Sequence, residues 1–166
     1  MDKIYEYSEY NSCIAHFSPI RENEFPQYWK RIVNLGMGHM QEAGMMDTDI
    51  TFQEAEQQLT KFVTNGIKAP GHYFMHTVKE SNSIGSFWLQ LMKRRSTEAY
   101  LWDIFIGEDR RGKGYVKNST VEIEAFAKNK GATRIFLNVY SLNTVARNLY
   151  SKAGFRESAI TMLKSL

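Results

Sequence analysis

The stretch Asp103-Ile104-Phe105-Ile106-Gly107-Glu108-Asp109-Arg110-Arg111-Gly112-Lys113-Gly114-Tyr115-Val116-Lys117 decides how the rest of the chain is read. It passes from a strand-forming run, through a basic glycine loop, into a helix-forming run. Arg110, Arg111, Lys113 and Lys117 are four positive charges within the eight residues 110–117, with no acidic residue among them. Gly112 and Gly114 let backbone N–H groups approach a ligand without Cβ obstruction. The following helix offers unpaired N–H groups and the positive end of its dipole. Together these predict a pocket for a pyrophosphate. A Walker loop, G-x-x-x-x-G-K-[ST], is absent, and Gly112-x-Gly114-x-x-Asn118 is not the dinucleotide fingerprint. Taken alone, the glycine pair fits a tight basic turn as well as a ligand site.

Working outward, the residues on either side predict an α/β order. Ile14 to Ile20 reads as a short strand ending at Pro19. Glu24 to Ala43 is helical, with Phe25, Tyr28, Ile32 and Leu35 at spacings of three and four. Gly36 and Gly38 weaken that helix by roughly 1 kcal/mol each if they lie inside it. Thr51 followed by Glu54 is a capping-box pattern opening a second helix, whose apolar face carries Ala55, Leu59, Phe62 and Val63. Residues 72–80, 84–92 and 98–107 read as three strands joined by short polar turns, an antiparallel meander. Lys117 to Lys130 is a helix closed by Gly131. Thr133 to Tyr140 is a strand, Thr144 to Ala153 a helix closed by Gly154, and Phe155 to Leu163 a last strand. Residues 1–12, polar and rich in tyrosine, read as an added edge strand or an arm.

The chain has 166 residues, enough for one domain with a core of its own. Hydrophobic residues at 43% and charged residues at 23% argue against disorder. The single cysteine, Cys13, closes no internal disulfide and builds no multi-cysteine zinc site. Met1 to Glu6 lacks a basic segment followed by an apolar one, and the most apolar stretch, Tyr100 to Gly107, falls far short of the ~20 residues of a membrane helix. A cytoplasmic protein with no membrane partner is expected. The net charge of +3 is too mild to imply nucleic acid. It conceals a split: residues 1–83 carry 7 Lys/Arg against 11 Asp/Glu, and residues 84–166 carry 14 against 7.

Two blocks of the sequence resemble a known family. Arg111-Gly112-Lys113-Gly114-Tyr115-Val116 is similar to the acyl-CoA loop of the GNAT N-acetyltransferase superfamily, Q/R-x-x-G-x-G/A. Asn143-x-x-Ala146-Arg147-x-Leu149-Tyr150-x-Lys152-x-Gly154-Phe155 is similar to a later motif of the same superfamily. The strand before the loop also resembles the family's, and the overall style is that of bacterial members whose acceptor is unassigned. The strong match covers residues 98–157, and the element order extends it over nearly the whole chain.

The resemblance implies a single domain over residues 1–166, with a mixed, mostly antiparallel sheet flanked by helices and splayed at the acyl-CoA site. It implies an acetyltransferase that uses acetyl-CoA as co-substrate, needs no metal and acetylates a primary amine by direct attack in a ternary complex. The amine could belong to a small molecule or to a protein N-terminus, and the protein would be a monomer or a homodimer. Pantetheine would pair with the backbone of Ile104, Phe105 and Ile106. The amides of Arg111, Gly112, Lys113, Gly114, Tyr115 and Val116 would hold the pyrophosphate. Asn143 would contact the pantetheine arm or order the loop before its helix. Tyr150 would point its hydroxyl at the thioester sulfur. Chemistry supports that last role: a thiol titrates near ~8.5 and a phenol near ~10, so tyrosine can protonate a departing thiolate without being ionised at neutral pH.

Two positions depart from the family pattern. Val116 stands where Gly or Ala is usual. The positions that often carry a general base hold Tyr100, Trp102 and Asn138, which leaves Asp103 for substrate contact or for base catalysis through water. Its other reading is a carboxylate that satisfies local backbone or a nearby arginine. His72 and His76, four apart on a strand, are roughly 13 Å from one another and do not share a metal ion. Cys13 has no recognisable activating partner. Lys93-Arg94-Arg95 reads as a solvated basic turn. The rival readings are a non-catalytic acyl-CoA-binding module and, more remotely, a basic nucleic-acid binder, whose affinity would fall steeply with salt.

Overall fold

The computed structural model describes residues 16–164. The elements are β1 (His16–Pro19), α1 (Phe25–Glu42), α2 (Phe52–Thr60), β2 (His72–Lys79), β3 (Asn82–Lys93), β4 (Thr97–Ile106), α3 (Tyr115–Asn129), β5 (Ala132–Leu137) and α4 (Thr144–Lys152). The expected arm at residues 1–12, Cys13 and Ile14 lie outside the described residues. Two compact units emerge. One contains the described residues up to Phe25 together with Ile67–Asn138, and the other contains Pro26–Gly66 and the described residues from Val139 onward.

The first unit holds the sheet, in the order β1-β2-β3-β4-β5. The first four strands pair antiparallel, and β5 lies parallel to β4. Short turns between successive strands produce the meander, while the return to a parallel β5 needs α3 as crossover. The β2–β3 turn is Glu80-Ser81, both with positive φ (50° and 64°), so Asn82 already pairs with Lys79. The expected turn at residues 81–83 therefore shifts by one residue, to the two-residue geometry that matches strand twist. On one face, Phe17, Met75, Phe87, Leu89, Ala99 and Leu101 pack with Ile123, Phe126 and Ala127 of α3. Phe126 meets Tyr73 edge-on at 5.2 Å, and Phe17 meets Phe87 at 4.6 Å. Such pairs add about 1 kcal/mol beyond burial.

In the second unit, α1 contains Gly36 and Gly38 in its interior. Its buried face is Tyr28, Trp29, Ile32 and Val33, while Leu35 is exposed. The sequence periodicity thus finds the helix but misplaces one edge of its apolar stripe. The capping box of α2 forms as expected, with Thr51 and Glu54 each satisfying the other's backbone N–H. Ala55 and Val63 are buried there, and Phe62 is exposed. The strand expected at Phe155–Leu163 does not form: residues 155–164 pair with no strand among the described residues, and Ile160, Met162 and Leu163 are exposed. Alternating apolar residues supply strand propensity, but a strand exists only with a partner beside it.

Candidate active site

The site begins where β4 leaves β5. Their ladder runs from Thr97↔Ala132 to Leu101↔Leu137 and stops there. β4 continues from Trp102 to Ile106 with no strand on that side among the described residues. Just at the point of separation β4 carries a bulge: Trp88 faces Asp103 and Leu89 faces Leu101, leaving Trp102 as an extra residue. A bulge bends its strand and sharpens the local twist, which suits a strand turning away from its neighbour. On its other side β4 stays anchored to β3, with Ile104, Phe105 and Ile106 facing Phe87, Ser86 and Gly85.

The glycine loop follows directly, in the same unit. A short 3₁₀ turn at Glu108–Arg110 leads to Arg111 in extended conformation, then to Gly112 and Gly114 at φ +76° and +77°. Only glycine adopts that region at little cost, so the two positions shape the loop. Gly114 is the N-cap of α3 and offers no side chain to it. The first helical amide bonded back into the helix is that of Asn118, to the Gly114 carbonyl at 3.1 Å. The amides of Tyr115, Val116 and Lys117 therefore face outward at the positive end of a 15-residue helix, an anion site by construction. Val116 keeps its amide there, and its carbonyl accepts the Thr120 hydroxyl at 2.8 Å.

The loop's cations are less available than the sequence suggests. Arg110 bonds Asp109 at 2.8 Å, and Arg111 lies 3.4 Å from Glu108. The structure brings in a cation that sequence reasoning missed. Lys79, at the end of β2, places its ammonium 3.3 Å from the Tyr115 hydroxyl and 5.0 Å from that ring's centre. It thus stands at the first residue of α3, beside the uncapped amides. No local pattern could have revealed it, because 36 residues separate the pair. Gly85 is the second residue missed. A Cβ there would collide with the Phe105 carbonyl oxygen and the Ile106 side chain.

Asn143 and Tyr150 belong to the other unit, on α4. Asn143 is its N-cap, and its side-chain oxygen accepts the Ala146 N–H at 3.1 Å. That bond caps the helix and leaves the side-chain nitrogen for another partner. Tyr150 is half-buried, two helical turns further along. Gly154, at φ +91°, turns the chain back so that the Phe155 N–H reaches the Tyr150 carbonyl at 3.0 Å. The Phe155 ring then meets the tyrosine ring edge-on at 5.6 Å, and this contact orients the phenol.

Asp103 is half-buried on β4, on the sheet face that carries Trp88 rather than on the α3 face. That face is aromatic: Trp88 stacks on Trp102 at 4.9 Å, and Tyr100 meets Trp102 at 4.8 Å. Burial raises the Tyr100 phenol above its ordinary range, so that still less of it is ionised and able to act as a base at neutral pH. The Trp88 indole donates to His72 Nδ1 at 2.9 Å, and burial lowers that imidazole's pKa. His76 sits between Glu24 and Ser83, 3.3 Å from each. The two histidines are thus held by separate partners, and no group of three metal-binding side chains occurs among the described residues. The turn of Lys93, Arg94 and Arg95 is exposed and lies at the opposite end of β4 from the glycine loop, about 30 Å away for ten residues of strand.

An open mixed sheet, a strand parting from its neighbour and an uncapped helix N-terminus behind a glycine loop together set an anion site beside unpaired strand backbone. The chain belongs to the acetyltransferase (GNAT) family, whose model matches residues 39–155. The uncharacterised N-acetyltransferase YycN of Bacillus subtilis (strain 168) is 29% identical over 114 residues, which are 68% of this chain and 73% of that protein. YdgE, another uncharacterised N-acetyltransferase of that organism, is 30% identical over 117 residues, 69% of this chain and 74% of its own. The crystal structure of YycN matches with a TM-score of 0.87 at 25% identity, covering 92% of this chain and 99% of that one. A protein from Clostridium acetobutylicum, described as a predicted acetyltransferase and solved with acetyl-CoA, shares the fold at a TM-score of 0.63 and 13% identity, covering 92% and 96%. No helix among the described residues is long and apolar enough to cross a membrane.

Proposed function

We propose that the protein transfers an acetyl group from acetyl-CoA to a primary amine by direct attack within a ternary complex. The observation that carries this reading is the uncapped N-terminus of α3, set directly behind the part of β4 that has left β5. The amides of residues 112–116 hold the pyrophosphate, the Arg111 amide expected among them being bonded instead to the Glu108 carbonyl, and the backbone of Ile104, Phe105 and Ile106 pairs with the pantetheine arm. The neutral amine nitrogen attacks the thioester carbonyl. The carbon–nitrogen bond forms, the carbon–sulfur bond breaks, and the Tyr150 hydroxyl gives its proton to the departing thiolate. The surplus proton on the nitrogen passes through water to the Asp103 carboxylate and on to solvent, and the Tyr150 phenolate regains a proton from solvent before the next turnover. Strand amides stabilise the charge that develops on the carbonyl oxygen.

The test is to incubate the full chain with acetyl-CoA and a panel of primary amines, reading free thiol and acetylated product together. Thiol release that requires an amine, with one acetyl group added per thiol, is the expected result. Tight CoA binding without turnover on any amine would instead identify a non-catalytic acyl-CoA-binding module.

A further inference from the structure

Trp102 is the extra residue of the bulge at which β4 parts from β5. Two other rings hold its indole: Trp88 stacks on it with the planes 14° apart, and Tyr100 meets it at 4.8 Å. Both indole nitrogens are tied as well. Trp102 Nε1–H donates to Gln90 Oε1, and Trp88 Nε1–H donates to His72 Nδ1, each at 2.9 Å. The two acceptors are themselves cross-strand partners, His72 on β2 opposite Gln90 on β3. Trp88 is only 1% exposed, so an indole N–H released by His72 has no water to turn to. All these residues belong to the unit that holds the sheet.

Nδ1 accepts a hydrogen bond only in the neutral ring that carries its proton on Nε2. Protonation puts a hydrogen on Nδ1, and two N–H donors then point at one another. Burial lowers the His72 pKa, so the neutral form prevails at neutral pH and gives way only in acid. No nearby charge reverses this, because no carboxylate lies within ion-pair distance of His72 among the described residues. Lys68, just before β2, is paired with Glu22, and His76, on the same strand, with Glu24. On β3 the neighbours Trp88 and Gln90 are uncharged. On β4 the same face carries Glu98, paired with Arg134, and Asp103, which lies opposite Trp88.

We infer that His72 and Gln90 are positioning residues for the acyl-CoA cleft: through Trp88 and Trp102 they lock the β4 bulge, and the lock holds only while His72 is neutral. The inference rests on the acyl-CoA reading above for what the bulge serves, and not for the lock itself.

The experiment titrates the full chain with acetyl-CoA by calorimetry between about pH 7.5 and about pH 5, a range that spans the ~6.5 of an ordinary histidine. Circular dichroism follows the coupled signal of the two stacked indoles at the same pH values. His72→Asn keeps an acceptor oxygen where Nδ1 stood and cannot gain a proton. Acidification should weaken acetyl-CoA about tenfold more in the parent protein than in His72→Asn, the scale of one buried hydrogen bond lost with its donor left unpaired. Titration of the CoA phosphates is common to both and cancels in the comparison. The indole signal should fall in step in the parent and stay constant in His72→Asn. His72→Phe removes the acceptor and should bind acetyl-CoA about tenfold more weakly already at the upper pH, and Gln90→Met should do the same through Trp102. Thermal unfolding at that pH checks that each variant is folded, and if His72→Phe is not, the pH comparison with His72→Asn decides. An identical pH dependence in the parent and His72→Asn, or a folded His72→Phe that binds acetyl-CoA as tightly as the parent, overturns the inference. An indole signal that follows His72 in a protein that binds no acetyl-CoA refutes the acyl-CoA reading and leaves the lock standing.

Discussion

Gly85 on β3 faces Ile106 on β4, and the space a Cβ would fill there is already taken by the Phe105 carbonyl oxygen and the Ile106 side chain. The bare backbone at Gly85 is therefore what lets β4 lie close at the residues assigned to pantetheine. Gly85→Ala forces the two strands apart at that point. Overpacking of this kind costs about 1–3 kcal/mol, and the displaced strand is the one next to the glycine loop. We expect a lower Tm together with a raised KM for acetyl-CoA. A variant with unchanged Tm and KM would show that the ladder can yield there without consequence.

Gly85 also illustrates what a sequence does and does not disclose. The α2 capping box is a local feature, set by a few neighbouring residues, and it forms as read; the positive φ of Gly112 and Gly114 and the N-cap bond of Asn143 are equally local. Strands β2 to β4 were legible because their turns are short. The bulge at Trp102, the collision at Gly85 and the approach of Lys79 to Tyr115 depend on strand register and on contacts between residues well apart in the chain, 36 positions for Lys79 and Tyr115, and no local pattern encodes them. The last strand failed for a related reason: residues 155–163 have the composition of a strand and, among the described residues, no neighbour to pair with. In α1 the period was right, but Trp29 and Val33 rather than Leu35 complete the buried face.

Lys79 stands at the uncapped start of α3, beside Tyr115, where the proposed function puts the pyrophosphate. A charge-assisted hydrogen bond contributes about 1.5–3 kcal/mol, so Lys79→Ala should raise the KM for acetyl-CoA by roughly 10- to 100-fold. Acetyl-pantetheine lacks the pyrophosphate, and its KM should not move. Dephospho-CoA separates the phosphates: if it is as sensitive as acetyl-CoA, Lys79 serves the pyrophosphate. If acetyl-pantetheine turnover suffers equally, Lys79 supports the fold and not the ligand.

Acid stability should depend on Glu24. The Arg21 side chain and backbone N–H, with His76 beside them, lower its carboxyl from 4.5 to about 2. A carboxyl depressed in the folded state binds its proton more readily once unfolded. Its stabilising contribution is therefore complete above about pH 4.5 and is lost as the pH falls toward 2. Because this carboxylate is partly open to solvent, the effect should be modest. Glu24→Gln should flatten the decline in stability between those limits, measured by denaturant unfolding at a series of pH values. An acid limb identical to that of the parent protein would assign acid unfolding to other groups.

Ser119 lies fully buried in α3, and its hydroxyl has no hydrogen-bond partner among the described residues. A buried hydroxyl without a partner carries its desolvation cost unrelieved. Ser119→Ala removes that group and substitutes a better helix former. The expected gain is about 1 kcal/mol, seen as a shift of the urea midpoint at constant slope. Loss of stability would reveal a bond to the hydroxyl that the static geometry does not contain.

Tyr150 tests the chemistry itself. Its ring is oriented by Phe155, held in place by the turn at Gly154, so that loss of the hydroxyl alone should leave α4 and its packing intact. Tyr150→Phe is therefore expected to lower kcat by about 10²-fold or more, the usual scale for a lost proton donor, with the KM for acetyl-CoA nearly unchanged. Phe155→Ala should act more mildly and on the same parameter, because it removes one contact of the tyrosine ring and leaves the phenol in place. The role can be separated from packing by the leaving group: a thioester of a more acidic thiol needs less help in departing. With such a donor the Tyr150→Phe defect should shrink toward parity. Equal defects with both thioesters would mean that Tyr150 positions the substrate and gives no proton to the sulfur.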